Sequence, residues 1–286
     1  MNIVDMRLRP PLKSWVKQLQ FSRGDDYYKN LGYERPASTR TQSLADLLKE
    51  MDHADVQWGV IMGRQSETPL GVIPNDEIAE CIQQHPDRFV GWVGLDLAQP
   101  TDWCLNEIDR CLRIPGFKGV SIEPPISKNT TLRTADDRRL DPIYEACVQR
   151  KVPINITLSA QLQARLGRPY EDSSPLQLYG VANRFPKLVI HVAHAAWPYV
   201  MDMIGIAFVS PNVWLSPDQY MVKKLPGAEE YAKAVNNYFQ DRACFGTAYP
   251  SRPHDRMVQE YGELGFSAEV YAKVMGRNAL RLMKMD

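Results

Sequence analysis

The sequence predicts an α/β protein that folds as a (β/α)₈ barrel, or TIM barrel. Short apolar runs alternate with amphipathic stretches along all 286 residues, which is the pattern of strands followed by helices. About eight such units fit in the chain, and a barrel of this kind needs about 250 residues. An open, doubly wound sheet is the alternative, but neither glycine-rich phosphate-binding motif typical of such sheets occurs here. We therefore expect residues 1–286 to form one barrel domain.

The first strand is predicted near the N-terminus, where apolar and charged residues alternate in the order Ile3-Val4-Asp5-Met6-Arg7-Leu8-Arg9. This period of two is typical of a strand, and it would place the apolar residues on one face and both arginines on the other. The polar and aromatic stretch Pro10–Thr41 follows and predicts a long loop after strand 1. Loops of that length often act as lids or interfaces.

The later elements follow from the spacing of apolar residues. Strands are predicted at Val56–Gly63, Phe89–Asp96, Lys118–Glu123, Val152–Ser159, Leu188–His194, Val213–Ser216 and Ala243–Ala248. The first barrel helix begins at Ser43, which has Asp46 at the spacing of a capping box. The other helices are predicted at Asn75–His85, Thr101–Arg113, Asp137–Arg150, Ser174–Phe185, Pro198–Phe208, Glu229–Gln240, Asp255–Gly262 and Ser267–Met283.

The composition narrows the classes of function. The chain has 34 Lys and Arg against 34 Asp and Glu, so it lacks the basic excess of proteins that bind nucleic acid or anionic membranes. No apolar run approaches the roughly 20 residues that cross a bilayer, and the N-terminus does not resemble a signal peptide. Five cysteines without a C-x-x-C motif favour buried thiols in a reducing compartment. We therefore expect a cytoplasmic protein, and the sequence leaves open whether it forms a homo-oligomer.

The candidate site residues lie where the predicted strands end, because (β/α)₈ barrels carry their active sites at the C-terminal ends of the strands. Strand parity predicts the inward side chains there, which are Arg7, Arg9, Ser121, Glu123, Asn155, Thr157, Ser159, His194, Trp214, Ser216, Asp218, Gly246 and Ala248, with Tyr249 next in line. The predicted mouth is polar and contains two guanidiniums, one imidazole and one or two carboxylates.

The two arginines of the first strand predict an anion site. Guanidinium groups match the geometry of carboxylates and phosphates, whereas a His-x-His pair at the same place would have predicted a metal site. The alternative is that Arg7 and Arg9 pair with internal carboxylates such as Asp5 or Glu123 and only fill the barrel.

His194 is the histidine that parity places at the mouth. It shares the parity of Ile190 and Val192, so we expect its ring to face inward, although a hydrogen-bonded core histidine is the alternative. His191 has the opposite parity and is expected to face the helices. His254 follows a proline, and the sequence leaves open whether it caps a helix or reaches the mouth.

The remaining candidates each have a structural alternative. Glu123 precedes two prolines and could cap a loop, and Asp218 lies past its strand and could be a turn residue. Asn155 and Thr157 are candidates for substrate binding, and Tyr249 is a candidate proton donor.

The order of several segments resembles the amidohydrolase-related family, which includes aminocarboxymuconate-semialdehyde decarboxylase and related hydrolases and decarboxylases. The similar segments cover nearly the whole chain and are Ser43–Asp52, Pro86–Gly91, Gly116–Val120, Phe185–Ile190 leading to His194, Phe245–Pro250 and Asn278–Leu282. Each is weak alone, but six in the right order are specific, and the resemblance implies the same TIM-barrel fold.

The metal ligands that this resemblance implies are mostly missing. Metal-binding members place His-x-His on the first strand, a His on the fifth and an Asp on the last, whereas this chain has Arg7-Leu8-Arg9, Thr157 and Ala248. Only His194 matches a ligand position. A catalytic zinc site needs three protein ligands, and arginine supplies none. We therefore expect no metal and no other cofactor.

The sequence favours a metal-independent amidohydrolase-like enzyme, which would be a hydrolase or lactonase, an isomerase or a C–C lyase. Arg7 and Arg9 would bind a small carboxylate- or phosphate-bearing substrate, and His194 would act as general acid or base. Glu123 or Asp218 would orient it or act as a second carboxylate. The alternative is a catalytically inactive barrel that binds an anionic ligand or a protein partner, but an inactive mouth has no need for costly inward charges.

Overall fold

The computed structural model describes residues 2–18, 21, 23–65, 70–127 and 131–286. Seven parallel strands form one sheet, and they follow one another in the sheet in chain order. The strands are β1 (Ile3–Leu8), β2 (Val56–Met62), β3 (Phe89–Gly94), β4 (Phe117–Ile122), β5 (Ile154–Thr157), β6 (Ile190–Ala193) and β7 (Val213–Ser216). Sequential parallel pairing of this kind is what strand–helix repeats dictate, and the predicted TIM barrel is confirmed.

The predicted eighth strand, Ala243–Ala248, joins both edges of the sheet without forming a regular strand. Its first part bonds to β7, where Cys244 donates its amide to the carbonyl of Leu215 at 2.9 Å. Its second part bonds to β1, where Met6 donates to the carbonyl of Phe245 at 3.0 Å. Extended geometry is interrupted because Ala248 has a φ of 54° and the Thr247 amide bonds to a side-chain carboxylate. The segment therefore closes the ring through individual backbone hydrogen bonds and not through a continuous strand ladder.

The helices lie around the outside of this ring or against its mouth. They are α1 (Asp25–Asn30), α2 (Ala37–Thr41), α3 (Leu44–His53), α4 (Asn75–Gln84), α5 (Thr101–Leu112), α6 (Asp141–Arg150), α7 (Ala160–Arg165), α8 (Leu176–Arg184), α9 (Val200–Val209), α10 (Ala228–Asn237), α11 (His254–Gly262), α12 (Ala268–Ala272) and α13 (Asn278–Met283). The Ser43 hydroxyl accepts from the Asp46 amide at 3.3 Å, which confirms the predicted cap of α3. In the described part of the chain, no helix combines the length and apolar character needed to cross a membrane.

The predicted loop Pro10–Thr41 is not irregular throughout. It contains the short helices α1 and α2, and its residues 19, 20 and 22 lie outside the described residues. The segment packs against the mouth of the barrel, where Tyr28 donates its hydroxyl to the carbonyl of Pro250 at 2.7 Å. Trp15 also donates its indole N–H to the carbonyl of Arg9 at 3.2 Å. These contacts place aromatic and basic side chains of the segment over the ends of the strands.

Two apolar layers show which way the strand residues face. The larger one lies between strands and helices and includes Ile154, Ile156, Ile190 and Val192. The residues between these on β5 and β6 therefore face the barrel interior. A smaller layer lies inside the barrel and is formed by Val4, Met6, Val60, Met62, Val90 and Trp92 together with residues of α13.

The alternating sequence of the first strand predicts one apolar face, but the apolar residues of β1 face in two directions. Val4 and Met6 belong to the inner layer, whereas Leu8 packs in the outer one. The pairing of β1 with β2 is irregular between Asp5 and Leu8, and this shift changes the parity of the strand. Because of the shift, Arg7 also reaches inward, directly above Met6.

Candidate active site

A cavity of about 220 Å³ opens at the C-terminal ends of the strands. Its wall contains His194 and six arginines, which are Arg7, Arg9, Arg23, Arg64, Arg165 and Arg252. Among the described residues that line it, none is an aspartate or glutamate. A concave site with such a lining has a strongly positive potential and attracts anions.

Glu123 lies behind this wall and receives three of the arginines. Arg7 and Arg9 each donate from Nη2 to its Oε1 at 3.0 Å. Arg64 donates from Nη2 to the same oxygen at 3.1 Å and from Nε to Oε2. Three guanidinium charges thus share one carboxylate, and two positive charges have no counter-charge in this cluster. We call Arg7, Arg9 and Arg64 the inner arginines.

The ionisation of the cluster reflects this excess of positive charge. Burial would raise the pKa of Glu123, but the surrounding guanidiniums hold that pKa well below its usual range. Burial lowers the pKa of Arg9, and the neighbouring cations Arg64 and Arg7 lower it further. In addition, the Nη1 atoms of Arg7 and Arg64 are buried and have no hydrogen-bond partner among the described residues. A bound anion would satisfy both the charge and these donors.

This arrangement answers two alternatives left open by the sequence. Arg7 and Arg9 do pair with Glu123, yet they still line a cavity and keep their excess charge. Glu123 makes no capping bond to the loop that follows it. Its oxygens are occupied by guanidiniums, so it holds the inner arginines in place and is not available as a base.

Arg64 is a site residue that the sequence reasoning missed. It directly follows β2 and Gly63, at the same C-terminal edge from which the other candidates were chosen. Two backbone hydrogen bonds fix its position. The Arg64 amide donates to the carbonyl of Ile73 at 3.0 Å, and the Ile73 amide donates to the carbonyl of Arg64 at 2.7 Å. Applying the strand-end rule to the second strand would have identified it.

His194 and Asp218 form a hydrogen-bonded pair at the wall of the cavity. The Nδ1 of His194 lies 2.8 Å from Oδ1 of Asp218, and the backbone amide of His194 donates to Oδ2 at 3.0 Å. A carboxylate only accepts hydrogen bonds, so Nδ1 donates to Asp218 and Nε2 is the ring nitrogen that this bond leaves available. Asp218 is therefore more than a turn residue, because it holds both the ring and the backbone of His194 in place.

Unusual backbone geometry concentrates around this pair. Five non-glycine residues at the mouth have positive φ angles, namely His194 (64°), Ala195 (41°), Ala196 (56°), Asp218 (45°) and Ala248 (54°). Such conformations cost free energy in residues with a Cβ atom, and they cluster at functional sites where the surroundings enforce them. The turn after Ala193 also explains how His194 reaches the cavity although β6 ends one residue earlier.

An aromatic wall stands next to the histidine. Tyr220 presents its ring to that of His194 with 5.7 Å between the ring centroids, and Trp197 stacks on Tyr220 at 4.7 Å. The hydroxyls of Tyr220 and Ser159 are 2.9 Å apart. Burial raises the pKa of Tyr220 to about 12, so its hydroxyl stays protonated near neutral pH. This wall would pack against a planar or apolar part of a ligand.

His191 faces the barrel interior and not the helices, so its predicted orientation was wrong. Its Nδ1 is 2.9 Å from Oδ1 of Asn155, and its ring meets that of Trp92 at 5.7 Å. Asn155 also donates to the hydroxyls of Ser121 and Thr157, both at 3.1 Å. The parity argument failed because β6 ends at Ala193, so His194 does not share the direction of the strand residues. Ile190 and Val192 face outward, and His191 between them faces inward. Burial lowers the pKa of His191 to about 3, so the ring is neutral.

Asn155 and Thr157 thus lie below the cavity and do not line it. Both are buried, and Asn155 bonds to Thr157, Ser121 and His191. We call these four residues the buried polar layer. Its position favours a supporting role beneath the inner arginines.

Tyr249 and His254 occupy the seam between β1 and the eighth segment. The Tyr249 ring lines the cavity, but its hydroxyl lies 2.6 Å from that of Ser38, and burial raises its pKa. His254 neither caps α11 nor lines the cavity. Instead, it stacks on Tyr249, and its Nε2 lies 3.2 Å from Oδ2 of Asp5. Asp5 in turn accepts from the amides of Arg7 and Thr247, so this seam fixes the backbone that carries Arg7.

The side chains at the expected ligand positions do not fit a divalent metal ion. In the portion of the chain that the structure describes, no three His, Cys, Asp or Glu side chains group to hold one. Arg7 and Arg9 occupy the first-strand positions, and Thr157 bonds to Asn155. Ala248 offers no side-chain ligand. Guanidinium groups would repel a cation at this place.

The comparison with known families places the chain. The family model described as amidohydrolase matches residues 4–284. The chain belongs to the amidohydrolase family. This confirms the resemblance on which the sequence interpretation relied.

Proteins similar to this chain include a named decarboxylase. A 2-amino-3-carboxymuconate-6-semialdehyde decarboxylase of Dictyostelium discoideum is 25% identical over 261 residues, which are 81% of this chain and 71% of that protein. A TIM-barrel protein of Bordetella bronchiseptica is 30% identical, with a TM-score of 0.88 over 100% of this chain and 99% of the other. A 2,6-dihydroxybenzoate decarboxylase of Rhizobium shares the fold at 19% identity, with a TM-score of 0.74 over 100% and 99% of the two chains.

Proposed function

We propose that this chain is a metal-independent enzyme that acts on a small carboxylate- or phosphate-bearing substrate, with His194 as its proton-transfer group. The observation that carries this proposal is the cavity itself, which combines six arginines with a carboxylate-oriented imidazole. Cleavage of a C–C bond by decarboxylation is the reaction we favour, because named relatives are decarboxylases. Hydrolysis of a lactone and isomerisation are the other reactions that this set of groups could support.

The inner arginines would bind the anion and stabilise charge that develops in the reaction. Both decarboxylation and lactone hydrolysis shift negative charge onto oxygen atoms, and preorganised donors in a buried site stabilise such charge effectively. Arg7 and Arg64 each offer a buried Nη1 that has no partner among the described residues. Glu123 would keep the three guanidiniums oriented when no substrate is bound.

His194 would move the proton that either reaction requires. In decarboxylation, His194 would first take a proton from solvent onto Nε2. The electron pair of the broken C–C bond remains on the substrate carbon, and that carbon would receive the Nε2 proton as carbon dioxide leaves. In lactone hydrolysis, the free Nε2 would instead take a proton from the attacking water. Asp218 fixes Nδ1 in both cases and stabilises the charged ring.

A second candidate function is binding without catalysis. The full occupation of Glu123 by guanidiniums favours it, because one of the predicted catalytic carboxylates is thereby withdrawn. The strained backbone around His194 and Asp218 is the counter-argument, since simple anion binding does not require an oriented imidazole.

The test is a screen of the full chain, after treatment with a chelator, against small aromatic carboxylates and lactones. Release of carbon dioxide and opening of the lactone ring are measured separately, together with elemental analysis of the protein. We expect turnover that EDTA does not reduce, and less than stoichiometric metal. Activity that appears only after Zn²⁺ or Mn²⁺ is added would refute metal independence. Ligands that stabilise the protein but are never turned over would favour the binding function.

A further inference from the structure

Arg252 is a buried arginine that forms no ion pair with the residues that the structure describes. It is 7% exposed and lines the same cavity as the inner arginines. No carboxylate of the described residues lies in ion-pair distance of it, and its buried Nε has no hydrogen-bond partner among them. The guanidinium cannot lose its charge in a protein, so burial without a partner is unfavourable unless an anion binds.

The contacts that Arg252 does make are too weak to compensate. Its guanidinium lies over the ring of Tyr33, 5.4 Å from the ring centroid. A cation–π contact of this kind recovers only part of the cost of removing a cation from water. The inner arginines differ, because each of them donates directly to Glu123.

Arg252 is not alone at its end of the cavity. Arg23 donates to the hydroxyl of Ser251, the neighbour of Arg252, at 3.1 Å. Arg165, at the end of α7, lines the cavity as well. Neither Arg23 nor Arg165 forms an ion pair with a described carboxylate. The three outer arginines lie in the segments after β1, β5 and the eighth segment. The inner ones lie within β1 or directly after β1 and β2.

We propose that Arg252 is the centre of a second anion subsite, and that the substrate therefore carries two anionic groups. This inference rests on the proposed function, because it takes the cavity as the substrate site. One group binds the inner arginines, and the other, a carboxylate or a phosphate, binds Arg252. A ligand with one anionic group leaves either the inner arginines or the buried Arg252 without an added counter-charge, so the cavity selects against it.

The test compares dianions with monoanions of matched shape. Binding of glutarate against pentanoate, and of isophthalate against benzoate, is measured by calorimetry on the full chain. A further ligand, 4-phosphonobutyrate, tells a phosphoryl group from a carboxylate at the second end. We expect each dianion to bind roughly 10- to 100-fold more tightly than its monoanion, as one added charge-assisted hydrogen-bonding group would give. The Arg252→Gln variant should reduce that ratio to near one.

Arg256→Gln is the matched control. Arg256 also lies over the Tyr33 ring, at 5.9 Å, but it is exposed and does not line this cavity, so its removal should leave the ratio unchanged. The ratio is measured within each protein, so a general loss of stability cancels. If Arg252→Gln does not fold, Arg252→Lys should still lower the ratio, because a single ammonium cannot replace the guanidinium fork.

Two failures are distinguishable. Equal affinities of dianions and monoanions for the unmodified protein would overturn the second subsite and leave the proposed function intact. No binding of any of these anions would overturn the anion site and the proposed function together. A dianion preference that Arg252→Gln leaves unchanged would also overturn the assignment to Arg252.

Discussion

His191 and His194 lie on the same stretch of chain, yet they belong to two regions with different chemistry. His191 faces an amide, Asn155, in the uncharged buried polar layer, and burial keeps it neutral. His194 faces a carboxylate, Asp218, at the wall of a cavity that contains six arginines. The comparison shows that the partner of an imidazole and its access to the cavity decide its role, because both rings are buried and both lie near a strand end.

The sharpest way to break this comparison is to remove each imidazole in turn. His194→Asn should lower turnover by about 10²- to 10⁴-fold, the usual contribution of a positioned general acid or base. Anion binding should persist, because the arginines are untouched. The kcat and the affinity for benzoate or isophthalate are the measurements. His191→Asn is the control, and its turnover should stay within about 10-fold of normal, since it does not line the cavity.

Near-normal turnover in the His194 variant would contradict this assignment. The proton transfer would then have to be sought on another group at the mouth, and Asp218 would be the first to test.

Glu123 sharpens the contrast between the charged mouth and the uncharged layer beneath it. Glu123→Gln removes the carboxylate that three guanidiniums share, and loss of one partner of a buried ion pair typically costs about 3–5 kcal/mol of stability. Urea unfolding with and without phosphate is the measurement. Phosphate should stabilise the variant more than the unmodified protein, because it replaces the lost counter-charge.

Asp46→Asn is the matched control for that experiment. Asp46 pairs with the exposed Lys49, and surface pairs contribute little to stability. A Glu123 variant as stable as this control, and no more sensitive to phosphate, would mean that the inner arginines need no counter-ion.

Much of the fold could be predicted from the sequence. The spacing of apolar residues and the order of strands and helices indicate which surfaces must be buried. The prediction that the polar residues of β5, Asn155 and Thr157, face the barrel interior was also correct. The errors occurred where the chain departs from regular strands. His194 lies past the end of β6 in a left-handed turn, so the parity of β6 did not apply to it.

The sequence offered only some of the long-range partners, namely Glu123 for Arg7 and Arg9, and Asp218 for His194. The bonds from Thr247 to Asp5, and from Arg64 to Glu123, join residues far apart in the chain, and no local pattern specifies them. Arg252 could not be selected from the sequence either. Its sequence context is an ordinary loop, and the proposed subsite depends on the absence of a counter-charge among the described residues of the folded protein.

Acidification should affect the buried polar layer in a defined range of pH. Since the pKa of His191 is lowered to about 3, the unfolded chain binds a proton there that the folded protein does not bind. Stability is therefore full above the unfolded pKa of about 6.5 and falls as the pH drops toward 3, by up to about 1.4 kcal/mol per pH unit. Unfolding free energies at pH 7 and pH 5 measure this slope.

The His191→Asn variant should lose that part of the slope, because its side chain does not titrate. An unchanged slope in the variant would mean that the acid sensitivity arises elsewhere, for example at Glu123, whose lowered pKa makes its contribution fade only at more acidic pH.

The smallest effect is expected at Tyr249, which separates the mouth from the seam behind it. Its ring lines the cavity, but its hydroxyl is directed to Ser38 at 2.6 Å and is buried. Burial raises its pKa, which makes it a poor source of protons near neutral pH. Tyr249→Phe should therefore lower stability by about 1 kcal/mol, the typical value of one hydrogen bond, and change kcat by less than about 3-fold.

Tyr220→Phe is the control, since that hydroxyl bonds to Ser159 while its ring contacts His194. A loss of kcat in the Tyr249 variant as large as that expected for His194→Asn would restore Tyr249 as the proton donor, and it would show that the hydroxyl leaves Ser38 when substrate binds.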